Sequence, residues 1–332
     1  MVRAKISSTV AWTLVAVLLI LSAALAELAL RQLGYEALKV PSNSGWSERD
    51  SELGWKNRQN GVFYPDSSLT TKMTLGAGGE RLAFNSNDSL NSDNVLFVGG
   101  SFVQGQGVND KETFAYRINE KFPTLRVRNF GVGAYGTYQS YLFMEKYFDV
   151  NGATQHTSLT IYGLIEDHFR RNLTPSSWVR QLRSSKGGFI VPPHVRLIDG
   201  DFEFRDARFE NYWPLETKSA LVTLLHHSYL TWRYTDSRNG QFIVMEMLLR
   251  KIRGLAASNG SKLLVVYLHG MREASEFQQA VKRSGVEYID CEFPELFATG
   301  HEVARGHPDS VIHNAYADCI TNWMVRNGIR FR

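Results

Sequence analysis

Residues 94–108 read NVLFVGGSFVQGQGV, an uncharged run of strand formers that stops at two glycines and a serine. A continuous apolar run without polar alternation is the pattern of a strand covered on both faces, as in a parallel sheet. Downstream the same grammar repeats. Phe114 to Phe122 carries apolar residues at helical spacing, and residues 125–130 (LRVRNF) form a second strand ending at 131–136 (GVGAYG), with a helix expected through Tyr141 and Met144. Residues 158–162 (SLTIY) make a third strand, followed by 163–172 (GLIEDHFRRN). Residues 263–268 (LLVVYL) make a fourth, led by an amphipathic segment from Gln241 to Ala257, and 286–290 (VEYID) a fifth. This alternation predicts an α/β domain over 93–332, a doubly wound five-stranded parallel sheet with ligands at the carboxyl ends of its strands.

The rest of the chain departs from that grammar in three places. After Arg3 and Lys5, the uncharged run from Val10 to Ala26 (VAWTLVAVLLILSAALA) stops at Glu27, so residues 1–35 read as a membrane anchor or a signal segment. Ala24 and Ala26 fit a cleavage site, while the apolar pattern continuing past them favours a retained anchor. Arg3 and Lys5 then lie inside, and the remainder is periplasmic or extracellular. Residues 36–92, rich in Ser, Asn, Asp and Gly, read as a stalk and a small β-rich cap that includes 50–55 (DSELGW) and 71–74 (TKMT). Residues 173–240 interrupt the strand-helix alternation after the third strand, and an insertion of that length covers a site or offers a partner surface.

Composition narrows the function classes. With 332 residues, 43% hydrophobic and 21% charged, the chain is neither disordered nor collagen-like, and 2 Cys exclude a disulfide-dense scaffold. The net charge of +4 is spread with no basic run longer than two residues, which argues against nucleic-acid binding. Cys291 and Cys319 lack metal-ligand spacing, and nothing calls for a metal or another cofactor; a bridge between them and two buried thiols are both open.

Ser101 follows a strand directly and opens a helix, where a hydroxyl can act as a nucleophile and its own amide can face a developing oxyanion. The same position suits a helix-capping serine. The block 98–108 resembles the first block of the SGNH/GDSL hydrolase superfamily. Asn129-Phe130-Gly131 with Tyr135, Gly136 and Gln139 is similar to the second, the stretch ending in Asp167-His168 and Arg170-Arg171-Asn172 to the third, and His307-Pro308 followed by His313 to the last. The matches keep the family's order over about 94–325.

The resemblance implies a serine esterase: Ser101 as nucleophile, His307 as general base, and the amides of Ser101 and Ala134 as oxyanion donors. Its substrate class is an acyl ester, foremost an O-acetyl ester of an envelope or exported polysaccharide, and the same machinery serves O-acyl transfer to a sugar. Three positions depart from the family. Gly100 replaces the first-block Asp, Glu166 stands where the oxyanion Asn is usual, and Ala304 stands where the Asp that orients the His belongs. Glu302, ahead of Asp309, is the expected third member, and His313 is expected to cap or pack the last helix. Asp167, His168, Arg170 and Arg171 lie at the strand-end rim, as substrate contacts or as supports of the loop and insertion. His226 and His227 read as packing and surface. The competing expectation is a binding module descended from a hydrolase, with the insertion docking other envelope proteins.

Overall fold

Five strands lie side by side in parallel: β1 (Asn94–Gly99), β2 (Arg126–Gly131), β3 (Thr157–Ile165), β4 (Lys262–His269) and β5 (Tyr288–Asp290). The computed structural model describes residues 8–42, 45–65, 70–83, 94–152, 156–234, 238–270, 275–303 and 306–329. Arg3, Lys5, Ala304, Arg305 and the boundary expected at 92–93 lie outside them. The order across the sheet is β2-β1-β3-β4-β5. That order reverses once, between β1 and β3, and a sheet of this kind receives ligands beyond the strand ends at the reversal.

All six residues of β1 are buried, which is why its sequence shows no alternation. Val95 and Phe97 face one core, with Ile118 of α3 (Phe114–Lys121) and Ile312 and Ile320 of the last helix, Ser310–Arg326. Leu96 and Val98 face the other, with Phe148 of the helix Thr137–Asn151, Leu249 of Arg238–Ser258 and Val281 of Glu276–Ser284. The third strand continues past the expected end at Tyr162 to Ile165. Gly163, read from sequence as a turn, lies in the sheet beside Gly99, which is paired in turn with Gly131. A Cβ at Gly131 would come 2.2 Å from the Gln104 amide nitrogen, and one at Gly163 2.3 Å from Val103 Cγ2. The glycines therefore let the short helix α2 (Ser101–Gln104) lie directly on the strand ends.

Cys291, just after β5, is bonded to Cys319 in the last helix across 28 residues. Cross-linking a loop of that length stabilises by about 3–4 kcal/mol through the unfolded chain. The double variant Cys291→Ser/Cys319→Ser is expected to lose that amount in denaturant unfolding, and an unchanged midpoint would show that the bridge contributes nothing.

The chain forms two compact units. The sheet belongs to one, comprising Ser44–Pro175, Val191–Arg208 and Asp236–Arg332. Its residues ahead of β1 form two short antiparallel pairs, Ser47–Asp50 with Gly54–Asn57 and Gly61–Phe63 with Met73–Leu75. The other comprises Met1–Asn43, Ser176–Ile190 and Phe209–Thr235. In that second unit an apolar N-terminal helix, Ser8–Gln32, meets the helix Ala220–Arg233, whose first turn is capped by Glu27: the carboxylate accepts from Ser219 Oγ (2.8 Å), Ala220 N (3.0 Å) and Leu221 N (2.8 Å). Nearby, Glu216 and His226 form a fully buried pair at 2.8 Å, with the imidazole stacked on Trp213.

Candidate active site

β1 ends at Gly99, Gly100 is extended (φ −86°, ψ −154°), and Ser101 opens α2. This turn leaves Ser101 Oγ 2.8 Å from His307 Nε2, bridging 206 residues of chain. His307 stands on a two-residue strand of a small hairpin, and its ring rests against Phe102, the residue after the serine, with centroids 5.6 Å apart. One short helix thus presents the hydroxyl and supports the imidazole. An imidazole nitrogen at that distance can take the hydroxyl proton as the oxygen attacks a carbonyl.

In the hairpin, Val303 lies opposite His307 and Glu302 opposite Pro308. Glu302 is exposed, and its carboxylate reaches back to the turn, Oε2 lying 3.8 Å from where a Cβ on Gly306 would stand. Asp309 is occupied elsewhere: Oδ1 accepts from Val311 N and Ile312 N at the start of the last helix, and Oδ2 lies 3.0 Å from His301 Nδ1. The structure brings Ser101 and His307 together. His313 is buried in the last helix, stacked on Phe114, with Nδ1 accepting from the Phe114 amide. Burial pushes its pKa down to about 3, so it stays neutral as a core residue.

α2 faces the loop after β2. Val132 N donates to Gly99 O and Tyr135 N to Val132 O, holding Ala134 between them in the left-handed region (φ 69°). Glu166 follows β3 and leans the other way. A Cβ at Gly270, next after β4, would lie 2.7 Å from Glu166 Cβ. Because β4 and β1 flank β3 on opposite sides, the exposed Glu166 side chain is carried away from Ser101. The carboxylate in the family's Asn position therefore does not confront the developing oxyanion.

Asp167, His168, Arg170 and Arg171 are largely committed to one another and to the turn. Asp167 accepts from Arg170 Nε (2.9 Å) and Arg171 Nη2 (3.1 Å), while Arg171 Nη1 donates to Tyr135 O in the oxyanion loop (3.1 Å). Burial pushes the Asp167 carboxyl up, and the two guanidiniums outweigh it, leaving the group below its ordinary range. His168 is fully buried, which drives its pKa well below the usual imidazole value. Its Nδ1 lies 2.7 Å from Tyr162 Oη, which donates to Thr137 Oγ1. The Tyr162 proton being used there, Nδ1 carries the proton and Nε2 is a bare lone pair. That lone pair sits where a side chain at 100 would begin, since a Cβ on Gly100 would lie 2.8 Å from His168 Nε2. Gly100 is thus not a missing support: the imidazole fills the space.

Other supports come from residues ahead of β1, which the sequence reading left without a role. Arg81, only 1% exposed, donates to the carbonyls of Gln104 (2.8 Å), Gly105, Val108 (2.5 Å) and Lys72 (3.2 Å) and pairs with Asp110 at 3.2 Å. Asn57 Nδ2 donates to Gly131 O (3.1 Å), and its oxygen accepts from Gln104 Nε2 (2.8 Å). Trp55 Nε1 donates to Gly133 O (2.9 Å), and Tyr135 Oη donates to Trp55 O (2.6 Å). The segment read as a cap is knitted into both loops that flank Ser101. Beyond Phe102, His269 and Phe297 continue an aromatic wall, with their rings 4.4 Å apart and His269 stacked on Phe102 at 5.6 Å. A Phe two residues after a Gly-Gly turn was the one sequence signal for that wall.

No family model and no curated protein matches the chain. Several solved structures do. TesA shares 9% identity over 70% of this chain and 98% of its own, with a TM-score of 0.40. The psychrotrophic esterase EstA from Pseudoalteromonas sp., inhibited by monoethylphosphonate, shares 8% over 70% and 98%, with a TM-score of 0.39. A member of the lipolytic protein G-D-S-L family from Veillonella parvula shares 10% over the same fractions, with a TM-score of 0.38.

Proposed function

We propose that the protein is a serine esterase tethered to a membrane, with its sheet domain outside the cytoplasm. The observation that carries the chemistry is the 2.8 Å contact between Ser101 Oγ and His307 Nε2 beyond the strand ends. In this reading Nε2 takes the hydroxyl proton as Oγ adds to the acyl carbonyl, and the amides of Ser101 and Ala134 meet the oxyanion. The imidazolium then protonates the leaving alkoxide, which departs as the alcohol and leaves an acyl-serine. Water, giving its proton to the same nitrogen, adds to that ester, and the tetrahedral intermediate collapses to free acid and regenerated Ser101. A sugar hydroxyl in place of water gives acyl transfer. The substrate class is an acyl ester, foremost an O-acetyl ester of an envelope or exported polysaccharide; the order of the four resembling blocks supports the ester, and the anchor supports the envelope.

The tether rests on the helix Ser8–Gln32. Its residues 8–25 are uncharged and all exposed, so the described chain leaves that apolar surface uncovered. Roughly 20 apolar residues cross a bilayer core. The Cys291–Cys319 bond adds support for an oxidising compartment.

The deciding experiment uses the full chain in detergent with nitrophenyl acetate and a fluorophosphonate. Wild type is expected to release nitrophenol and to be labelled at Ser101, and Ser101→Ala to do neither. Equal turnover by Ser101→Ala, or no labelling of wild type, would leave the binding-module reading.

A further inference from the structure

The helix Ala220–Arg233 carries an apolar stripe that the fold leaves uncovered. Leu225 and Trp232 stand at i and i+7, hence on one face, and Leu221, one turn before Leu225, is half-buried. Leu225 is 50% and Trp232 76% exposed. Trp213 and Leu215, from the segment leading into the helix, are also exposed, and Trp213 lies 5.7 Å from the Tyr229 ring, itself 6.1 Å from Trp232. A chain that buries most of its large side chains here exposes two tryptophans and two leucines, with the half-buried Tyr229 ring between the tryptophans.

The neighbouring contacts indicate what covers them. Glu27 is the first charge after the apolar run of Ser8–Gln32, so in a spanning helix it marks the depth at which the chain leaves hydrocarbon. Its carboxylate is bonded to Ser219, Ala220 and Leu221, and Arg31 Nη2 donates to Lys218 O at 2.7 Å. Those four residues must therefore sit at headgroup depth, and with them the start of the striped helix. Trp and Tyr, with an apolar ring and a polar edge, favour that layer. Charge agrees: residues 27–43, 176–190 and 209–235 hold seven Lys and Arg against four Glu. Anionic headgroups attract such a surface.

We propose that the face formed by Trp213, Leu215, Leu225 and Trp232 lies in the headgroup layer of the same bilayer that the N-terminal helix enters, making a second, interfacial attachment. This rests on the tether reading and goes beyond it.

The test uses the full chain in vesicles of phosphatidylcholine with a minor share of phosphatidylglycerol. Because Cys291 and Cys319 are bonded, an introduced cysteine is the sole thiol available for an environment-sensitive dye. Dye is placed in turn at Leu225→Cys, Trp232→Cys, Leu18→Cys in the apolar helix, and Val150→Cys, 76% exposed in the sheet unit. Expected is a blue shift at 225 and 232 with severalfold more quenching, by lipid bearing a nitroxide near the glycerol end, than at 150. The dye at 18 should be quenched from the methyl end of the chains. If 18 is quenched while 225 and 232 behave like 150, the interfacial attachment is wrong and the anchor stands. If 18 is not quenched, the anchor fails and this inference with it. Dyes at 225 and 232 shielded from water yet not quenched by lipid would mean that protein, such as a second copy, covers the face, which also overturns the proposal.

Discussion

Replacing His307 by alanine is expected to lower ester turnover by about 10⁴-fold, and adding Ser101→Ala to it to lower turnover hardly further. The hydroxyl is a poor nucleophile until a base removes its proton, so removing either partner abolishes the same step. No other imidazole replaces it. His313 is buried, neutral and bound to the Phe114 amide, and His269 stacks on Phe102 as part of the aromatic wall. On the proposed reading, both variants keep the oxyanion donors and substrate contacts, hence the shared floor. Initial rates with nitrophenyl acetate for the two single variants and the double decide the matter: losses that multiply would mean that Ser101 and His307 act independently. Glu302→Gln is expected to remain near wild type, since Val303 and not Glu302 stands opposite His307 in the hairpin.

The sheet was legible because β1, β2 and β4 are short apolar runs closed by glycine or turn residues, and burial on both faces leaves no other pattern. The end of β3 was not. Gly163 has the local signature of a turn, and only its distant neighbour Val103, packed on its bare face, explains a glycine inside a strand. The closeness of Ser101 and His307 was legible because each follows a recognisable break in the chain, and the resemblance linked them. Why a glycine stands at 100 was not legible for a related reason. The group that fills its space, His168 Nε2, lies 68 positions later, and its tautomer is set by Tyr162. Glu302 was preferred for proximity in sequence, which does not show that Val303 is the residue opposite His307 in the hairpin. Arg81 showed nothing at all, because a lone arginine in a Gly-rich stretch reads as surface.

That arginine supports the second large expectation: Arg81→Met should cost about 3–5 kcal/mol of stability, the range for removing one partner of a buried ion pair. Methionine matches much of the volume but donates nothing. The carbonyls of Lys72, Gln104, Gly105 and Val108 lose the guanidinium, Gly105 O keeping the Val108 amide, and the Asp110 carboxylate, 6% exposed, keeps among the described residues the Thr74 amide and hydroxyl. Three of those carbonyls belong to the loop that leaves α2, so the loss reaches the turn carrying Ser101. Turnover per folded molecule should therefore fall, with kcat reduced more than KM is raised, because the altered loop shifts the oxyanion donors while leaving most substrate contacts in place. Arg81→Lys should recover little of either, since three donors on one point cannot reach acceptors that a planar guanidinium spans. Urea unfolding in detergent reads the first effect, and steady-state kinetics well below the unfolding transition read the second. A destabilised Arg81→Met enzyme with an unchanged kcat would confine Arg81 to holding the fold and remove it from positioning the nucleophile turn.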